Sequence, residues 1–285
     1  MTANDPKTLV STDWLNDHLS DPNLRILDGS WFLPNQNRDG REEFEKAHIP
    51  GARYFDIDEI SDHRSDLPHM VAPVEKFMSR LRAMGVGDGH QVVIYDSGPY
   101  IFSAARVWWN FRLMGKTDVA VLDGGFSKWR AEGRPVDALP PVIRDRHMTV
   151  EPQPQMVKDA TQVAHASKLG DFEIIDARAA NRFAGEAPEP RAGLRAGHIP
   201  GSKNVPFQTL FNDDGTMRDP DALKSIFETA GVDLSKPAIT TCGSGVTAAV
   251  LSLAMERFGK TDHALYDGSW TEWGAHDWLK VATGP

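Results

Sequence analysis

Short apolar runs of strand length recur along the chain, with helical stretches between them. The runs 91–95 and 238–241 are rich in β-branched residues, and we predict strands at 24–27, 91–95, 119–122, 172–175, 238–241 and 263–266. Helices are predicted over 74–84 and 246–258. They end at Gly85 and Gly259, a residue suited to the left-handed position after a helix. This alternation predicts βαβ units, that is, an α/β fold with mostly parallel sheets flanked by helices on both faces.

The two halves of the chain repeat the same motifs in the same order. His48-Ile49-Pro50-Gly51 recurs as His198-Ile199-Pro200-Gly201, and the stretches 123–129 and 267–273 both begin with Asp-Gly and end with Trp. A solenoid would repeat every roughly 20–50 residues, which is far shorter than this spacing. The repeat therefore predicts two whole domains of the same fold.

A proline-rich stretch of mixed charge separates the two copies, over residues 133–155. Such a composition is typical of an extended, semi-stiff linker. We predict a first domain over 1–140, a linker over 141–155 and a second domain over 156–285.

The overall charge argues against several classes of partner. The chain has 31 Lys and Arg against 40 Asp and Glu, a formal net charge of −9. Without a basic patch, that charge disfavours nucleic acid and anionic membrane surfaces. No run is apolar enough for a membrane span, and the N-terminal residues lack the apolar stretch of a signal peptide, so we expect a cytoplasmic protein.

A single cysteine, Cys242, follows one of the predicted strands and precedes a predicted helix. One cysteine excludes an internal disulfide, a cysteine-rich zinc site and an iron–sulfur cluster. At the carboxyl end of a parallel strand it lies where open α/β sheets bind their ligands. Gly243 and Gly245 let the backbone turn its N–H groups inward above the helix N-terminus, where they would stabilise a thiolate.

The first copy has Asp96 at the position that corresponds to Cys242. An aspartate cannot carry sulfur or act as a thiolate. The first domain is therefore predicted to be catalytically silent and to contribute binding surface or stability.

The repeated domains, the Asp96 loop and the run Cys-Gly-Ser-Gly-Val-Thr at 242–247 resemble the two-domain sulfurtransferases of the rhodanese superfamily. Within it, the loop is most similar to that of the 3-mercaptopyruvate sulfurtransferases, and the resemblance covers nearly the whole chain. It implies two tandem rhodanese-like domains. It also implies a cofactor-free, metal-free reaction in which a thiolate accepts sulfur as a persulfide and a second nucleophile removes it.

The resemblance also assigns roles to individual residues. It makes Cys242 the sulfur carrier and proposes a proton relay of Ser244, His69 and Asp58 for the leaving group. It assigns the donor carboxylate to Arg182 and Arg191, whose planar guanidinium groups suit a two-point contact. The loop residues expected around the sulfur are Gly243, Ser244, Gly245, Val246 and Thr247.

The neutral residues after Cys242 favour a donor with little charge near its sulfur. Gly243 and Ser244 occupy positions that carry basic residues in the thiosulfate-using relatives, so the resemblance favours 3-mercaptopyruvate, whose one carboxylate is remote from its sulfur. The expected acceptor is a thiol, cyanide or a thioredoxin-like protein. The alternatives are a thiosulfate:cyanide sulfurtransferase and a non-catalytic persulfide carrier.

Two other site classes fit the residues less well. A cysteine phosphatase or arsenate reductase needs an arginine six residues after its cysteine, where this chain has Ala248. The acidic stretch around Asp58 could suggest a metal site, but its spacing matches no metal-binding loop.

Overall fold

The computed structural model describes residues 4–33 and 36–284, which divide into two compact units. Unit 1 comprises the described residues within 1–62, 71–153 and 211–217, and unit 2 those within 63–70, 154–210 and 218–285. His69 therefore lies in unit 2, although the sequence places it in the first copy. The boundaries at 140 and 156 stay a prediction.

Each unit alternates strands with helices along the chain. The strands are β1 (Leu9–Val10), β2 (Leu24–Asp28), β3 (Arg53–Tyr54), β4 (Gln91–Tyr95), β5 (Val119–Leu122), β6 (Val157–Lys158), β7 (Glu173–Asp176), β8 (Lys203–Asn204), β9 (Ala238–Thr241) and β10 (His263–Tyr266). The helices are α1 (Thr12–His18), α2 (Gly40–Lys46), α3 (Val74–Ala83), α4 (Phe102–Leu113), α5 (Gly125–Ala131), α6 (Ala160–Leu169), α7 (Ala180–Phe183), α8 (Pro220–Thr229), α9 (Ala248–Arg257) and α10 (Ser269–Trp273). In the described part of the chain, no helix combines the length and the apolar character that crossing a membrane requires.

The strands of each unit form one five-stranded parallel sheet. The order is β1-β5-β4-β2-β3 in unit 1 and β6-β10-β9-β7-β8 in unit 2, which is the same topology twice. The predicted α/β class and its parallel sheets are confirmed. In both units the loop of interest follows the central strand, β4 or β9, so it lies at the carboxyl edge of the sheet.

Successive side chains of a strand point to opposite faces of the sheet. In each unit both faces are buried under helices, so both sets of side chains lie in the core. In unit 1, Val93 and Tyr95 belong to a core cluster with Phe126 and Trp129 of α5, while α4 packs on β4 and β5. In unit 2, Ile239 belongs to a corresponding cluster with Trp270 and other residues of α10 and α6. This arrangement explains why the strands are continuous apolar runs rather than alternating ones.

The repeated histidine motif has the same packing role in both units. The His48 ring stacks on Phe44 at 4.2 Å between centroids, and the His198 ring stacks on Phe183 at 3.8 Å. The Nδ1 atom of each histidine lies within hydrogen-bond distance of the carbonyl oxygen of the phenylalanine beneath it, at 2.7 and 2.9 Å. The stacked pair therefore marks corresponding positions in the two units.

Candidate active site

Cys242 lies directly after β9, and α9 begins at Ala248, so residues 242–247 form a short loop between a central strand and a helix. Cys242 is 2% exposed. The glycine in the middle of the loop, Gly245, has a φ of +77°, which a residue with a side chain rarely adopts. The predicted position of the thiol, at the carboxyl end of a parallel strand, agrees with the structure.

The loop that follows Cys242 contains main-chain donors with no acceptor in the described chain. Among the described residues, the N–H groups of Ser244, Val246 and Thr247 donate no hydrogen bond. The helical ladder begins only with the bonds from Ala249 to Val246 and from Val250 to Thr247. Unpaired N–H groups at the start of a helix attract an anion. Three of the predicted loop donors are thus free to stabilise charge on sulfur.

The first turn of α10 holds the start of the loop. The N–H of Cys242 donates to Oγ of Ser269 at 3.3 Å, and the N–H of Trp270 donates to the carbonyl oxygen of Cys242 at 2.9 Å. Thr271 donates to the carbonyl oxygen of Gly243 through both its N–H and its hydroxyl, at 2.9 and 2.6 Å. These contacts fix the backbone of Cys242 and Gly243, the first two residues of the loop.

Sequence reasoning missed Ser269, although the repeat contains a signal for it. Ser269 is fully buried and has a φ of +51°, an uncommon conformation for a residue other than glycine. The corresponding residue of unit 1 is Gly125, at +57°. A serine in place of a glycine at a left-handed position indicates that its side chain has a role in unit 2.

In unit 1, the side chain of Asp96 occupies the loop itself. Its Oδ1 accepts the N–H of Gly98 at 3.1 Å, and its Oδ2 accepts the N–H of Ala104 and the hydroxyl of Ser103, both at 2.9 Å. Burial raises the pKa of Asp96 to about 6, against the lowering effect of these hydrogen bonds. The Asp96 carboxylate therefore accepts from the loop and from the first turn of α4, which gives a physical argument for the predicted silence of this domain.

We expect Asp96→Asn to change how stability depends on pH. Burial raises the pKa of Asp96 and of nearby Asp28 from 3.8 to about 6. The folded protein then binds more protons than the unfolded chain between about pH 4 and 6, so stability falls as pH rises through that range. Asp96→Asn removes one of these carboxylates. Its free energy of unfolding relative to wild type should rise by up to about 3 kcal/mol between pH 4 and 7.

Denaturant unfolding at several pH values measures this difference. The exposed Asp17→Asn is the matched control and should show no such trend. A constant difference between Asp96→Asn and wild type across the range would contradict the assignment.

Arg182 lies against the Cys242 loop within unit 2. A Cβ atom placed on Gly243 would be 3.4 Å from Nη2 of Arg182, whose side chain is 25% exposed. The sequence did not anticipate that Glu189 already holds this guanidinium, with Nη2 to Oε2 at 2.5 Å and Nε to Oε1 at 3.3 Å. The predicted arginine is therefore at the loop, but it is already paired with a carboxylate.

Arg178, which the sequence gave no role, completes a buried ion-pair network. Its guanidinium bonds to Asp176 at 2.7–3.1 Å, to Glu189 at 2.8 Å and to the carbonyl oxygen of Gly197 at 2.7 Å, and it lies 4.2 Å from the centre of the Trp270 ring. Although burial lowers the pKa of Arg178, the charges of Asp176 and Glu189 raise it overall. Arg178 thus serves the fold of the site.

The remaining predicted site residues are Arg191 and the three members of the proposed relay. Arg191 is partly exposed and makes no ion pair or hydrogen bond to the rest of the described chain. Ser244 and His69 are both 7% exposed and lie in unit 2, whereas Asp58 lies in unit 1, where it accepts a 2.8 Å hydrogen bond from the Trp31 indole. Their joint action stays a prediction.

The acidic stretch around Asp58 does not assemble into a metal site. Across residues 4–33 and 36–284, no group of three His, Cys, Asp or Glu side chains is arranged to hold a metal ion.

Comparison with known proteins identifies the family. The model of the rhodanese-like domain matches residues 11–132 and 159–276. The chain is 42% identical to a 3-mercaptopyruvate sulfurtransferase of Mus musculus, over 94% of this chain and 92% of that one. It is 40% identical to a thiosulfate sulfurtransferase of Rattus norvegicus, with the same two shares.

A solved structure agrees with these matches. The crystal structure of SseA from Escherichia coli, a 3-mercaptopyruvate sulfurtransferase, superposes with a TM-score of 0.84 at 39% identity, covering 92% of this chain and 98% of that one. Because the family model spans most of the chain and the relatives match at high coverage, the chain belongs to the rhodanese-like family and carries two copies of its domain.

Proposed function

We propose that this protein is a sulfurtransferase that moves the sulfur of 3-mercaptopyruvate, through a persulfide on Cys242, to a thiol, cyanide or a thioredoxin-like acceptor. The main support for this proposal is the contrast between the loops of the two units. The Asp96 carboxylate accepts the N–H groups of Gly98 and Ala104. In the loop that follows Cys242, by contrast, the N–H groups of Ser244, Val246 and Thr247 have no acceptor within the described chain. The names of the relatives point to the same reaction class.

In the first half-reaction, the Cys242 thiolate attacks the sulfur of the donor. An S–S bond forms, the C–S bond of 3-mercaptopyruvate breaks, and its electron pair leaves on carbon as the enolate of pyruvate. The loop N–H groups stabilise negative charge on the sulfur atoms throughout, because they are fixed before the reaction begins. No cofactor is needed, since the step involves only displacement at sulfur.

The pyruvate enolate needs a proton, and we assign its delivery to Ser244. A hydroxyl two residues after the nucleophile is suited to reach the leaving group, with His69 and Asp58 orienting and polarising it. In the second half-reaction, an acceptor nucleophile attacks the outer sulfur of the persulfide. The S–S bond then breaks and the thiolate of Cys242 is regenerated.

The donor carboxylate is assigned to Arg182 and Arg191. The position of Arg182 beside Gly243 supports its part in this assignment. The two residues after Cys242, Gly243 and Ser244, are uncharged. This supports a donor whose negative charge is remote from its sulfur atom. A thiosulfate-using enzyme is the second candidate, because the thiosulfate sulfurtransferase of rat matches nearly as well as the 3-mercaptopyruvate enzymes. We place the activity in the cytoplasm.

A side-by-side assay of the two donors tests the proposal. We expect kcat/KM for 3-mercaptopyruvate to exceed that for thiosulfate by at least about tenfold, because the loop offers no extra cation for a dianion. Pyruvate release measures the first reaction and thiocyanate formation from thiosulfate and cyanide the second. A preference for thiosulfate would overturn the choice of donor, and no turnover with either would favour a persulfide carrier loaded by another protein.

A further inference from the structure

We propose that Glu189 determines donor specificity by neutralising and tethering Arg182, so that the Cys242 loop favours singly charged donors over dianions. The inference rests on the proposed function and adds to it a residue that does not itself carry sulfur. Glu189 is suited to this part because its side chain is only 2% exposed and bonds to Arg182 through both carboxylate oxygens.

The charges of the network balance. Asp176 and Glu189 face Arg178 and Arg182, with Glu189 bridging the two guanidinium groups at 2.8 Å and 2.5 Å. Arg178 is buried against Asp176, whereas Arg182 is the member next to Gly243. The cation that meets an incoming donor is therefore already compensated by a carboxylate behind it.

Unit 1 also has an ion pair beside its loop, but there the residue next to the loop is the acidic partner. The residue before the stacked phenylalanine is Glu43 in unit 1 and Arg182 in unit 2. Glu43 accepts from Oγ of Ser97, the residue after Asp96, just as Arg182 lies against the residue after Cys242. Arg38 holds Glu43 through two hydrogen bonds of 2.6 and 2.7 Å. The sign of the charge facing the loop is thus a feature that separates the two units.

Removing the carboxylate should act on donors according to their charge. Glu189→Gln leaves one uncompensated positive charge beside Gly243. A dianion gains twice as much Coulomb energy from that charge as a monoanion does. Any displacement of Arg182 that weakens its contact with an anionic donor acts on both donors, so the ratio between them reports the effect of charge.

The experiment compares kcat/KM for thiosulfate and for 3-mercaptopyruvate in Glu189→Gln and wild type. We expect the thiosulfate to 3-mercaptopyruvate ratio to rise about three- to tenfold, given partial screening by solvent. Glu186→Gln is the matched control, because it removes an exposed carboxylate from the same segment without touching Arg182, and its ratio should stay at the wild-type value. An unchanged ratio in folded Glu189→Gln would overturn the inference.

A second readout keeps the inference separate from the proposed donor. The chain has one cysteine, so alkylation reports on Cys242 alone. Glu189→Gln should raise the rate with anionic iodoacetate relative to neutral iodoacetamide. If 3-mercaptopyruvate is not turned over, a raised alkylation ratio still supports the charge effect, and an unchanged one contradicts it.

Discussion

Cys242→Ser should abolish sulfur transfer, with kcat/KM for 3-mercaptopyruvate falling by about a thousandfold or more, as when a covalent nucleophile is lost. A serine hydroxyl has nearly the same size and keeps the contacts of the loop with Ser269 and Trp270. It cannot form a persulfide, because an oxygen atom at this position does not exchange sulfur. Pyruvate release with excess acceptor measures the loss.

Asp96→Asn is the matched control for this variant. Asp96 holds the corresponding position in unit 1, where its carboxylate is bound to Gly98, Ser103 and Ala104. We expect its turnover to remain close to wild type. Normal turnover in Cys242→Ser would refute the mechanism.

Replacing Arg182 should mainly raise KM. Arg182→Ala removes the guanidinium that we propose to bind the donor carboxylate, and we expect KM for 3-mercaptopyruvate to rise about tenfold or more with a smaller change in kcat. Arg182→Lys keeps the charge but loses the planar two-point geometry, so its KM should lie between that of wild type and that of Arg182→Ala. Steady-state kinetics with varied donor distinguish KM from kcat.

The control for Arg182 is Lys224→Ala, which removes a cation from the exposed surface of α8 in the same unit. Its KM should match wild type. Arg191→Ala is expected to raise KM as well, since Arg191 has no ion pair within the described residues that would compete with a donor. Unchanged KM values would remove both arginines from the site.

Much of the fold could be predicted from apolar runs alone. The structure confirms strands at the predicted bounds for β4, β5, β9 and β10, because each is a fully or almost fully buried run made mostly of residues that fit a sheet interior. The two-residue strands β1, β3, β6 and β8 were missed. Two residues are too short to show any periodicity, so only their pairing in the sheet defines them.

The site was predictable where its residues are neighbours along the chain. The loop 242–247 is continuous, so its glycines and its place between strand and helix indicate its shape. The partners of the loop were not predictable in the same way. Ser269 reaches Cys242 from 27 residues away, and the pairing of Arg182 with Glu189 depends on how the segment after α7 folds back.

The repeat supplied what a single domain could not. Alignment of the two copies predicts from Asp96 that the first domain is silent, and the structure adds a physical argument for that prediction, a carboxylate that accepts the N–H groups of Gly98 and Ala104. The same alignment relates Gly125 to Ser269. The correspondence of Glu43 with Arg182 is not in the sequence alignment and follows from the stacked histidines of the two units.

Cys242 itself is expected to carry the transferred sulfur, and intact-mass spectrometry tests this role. The protein is incubated with 3-mercaptopyruvate in the absence of acceptor and kept free of reductant. We expect a mass increase of one sulfur atom, located on the peptide that contains Cys242, absent from Cys242→Ser and removed by cyanide. Release of pyruvate by an enzyme whose Cys242 stays unmodified throughout turnover would contradict it.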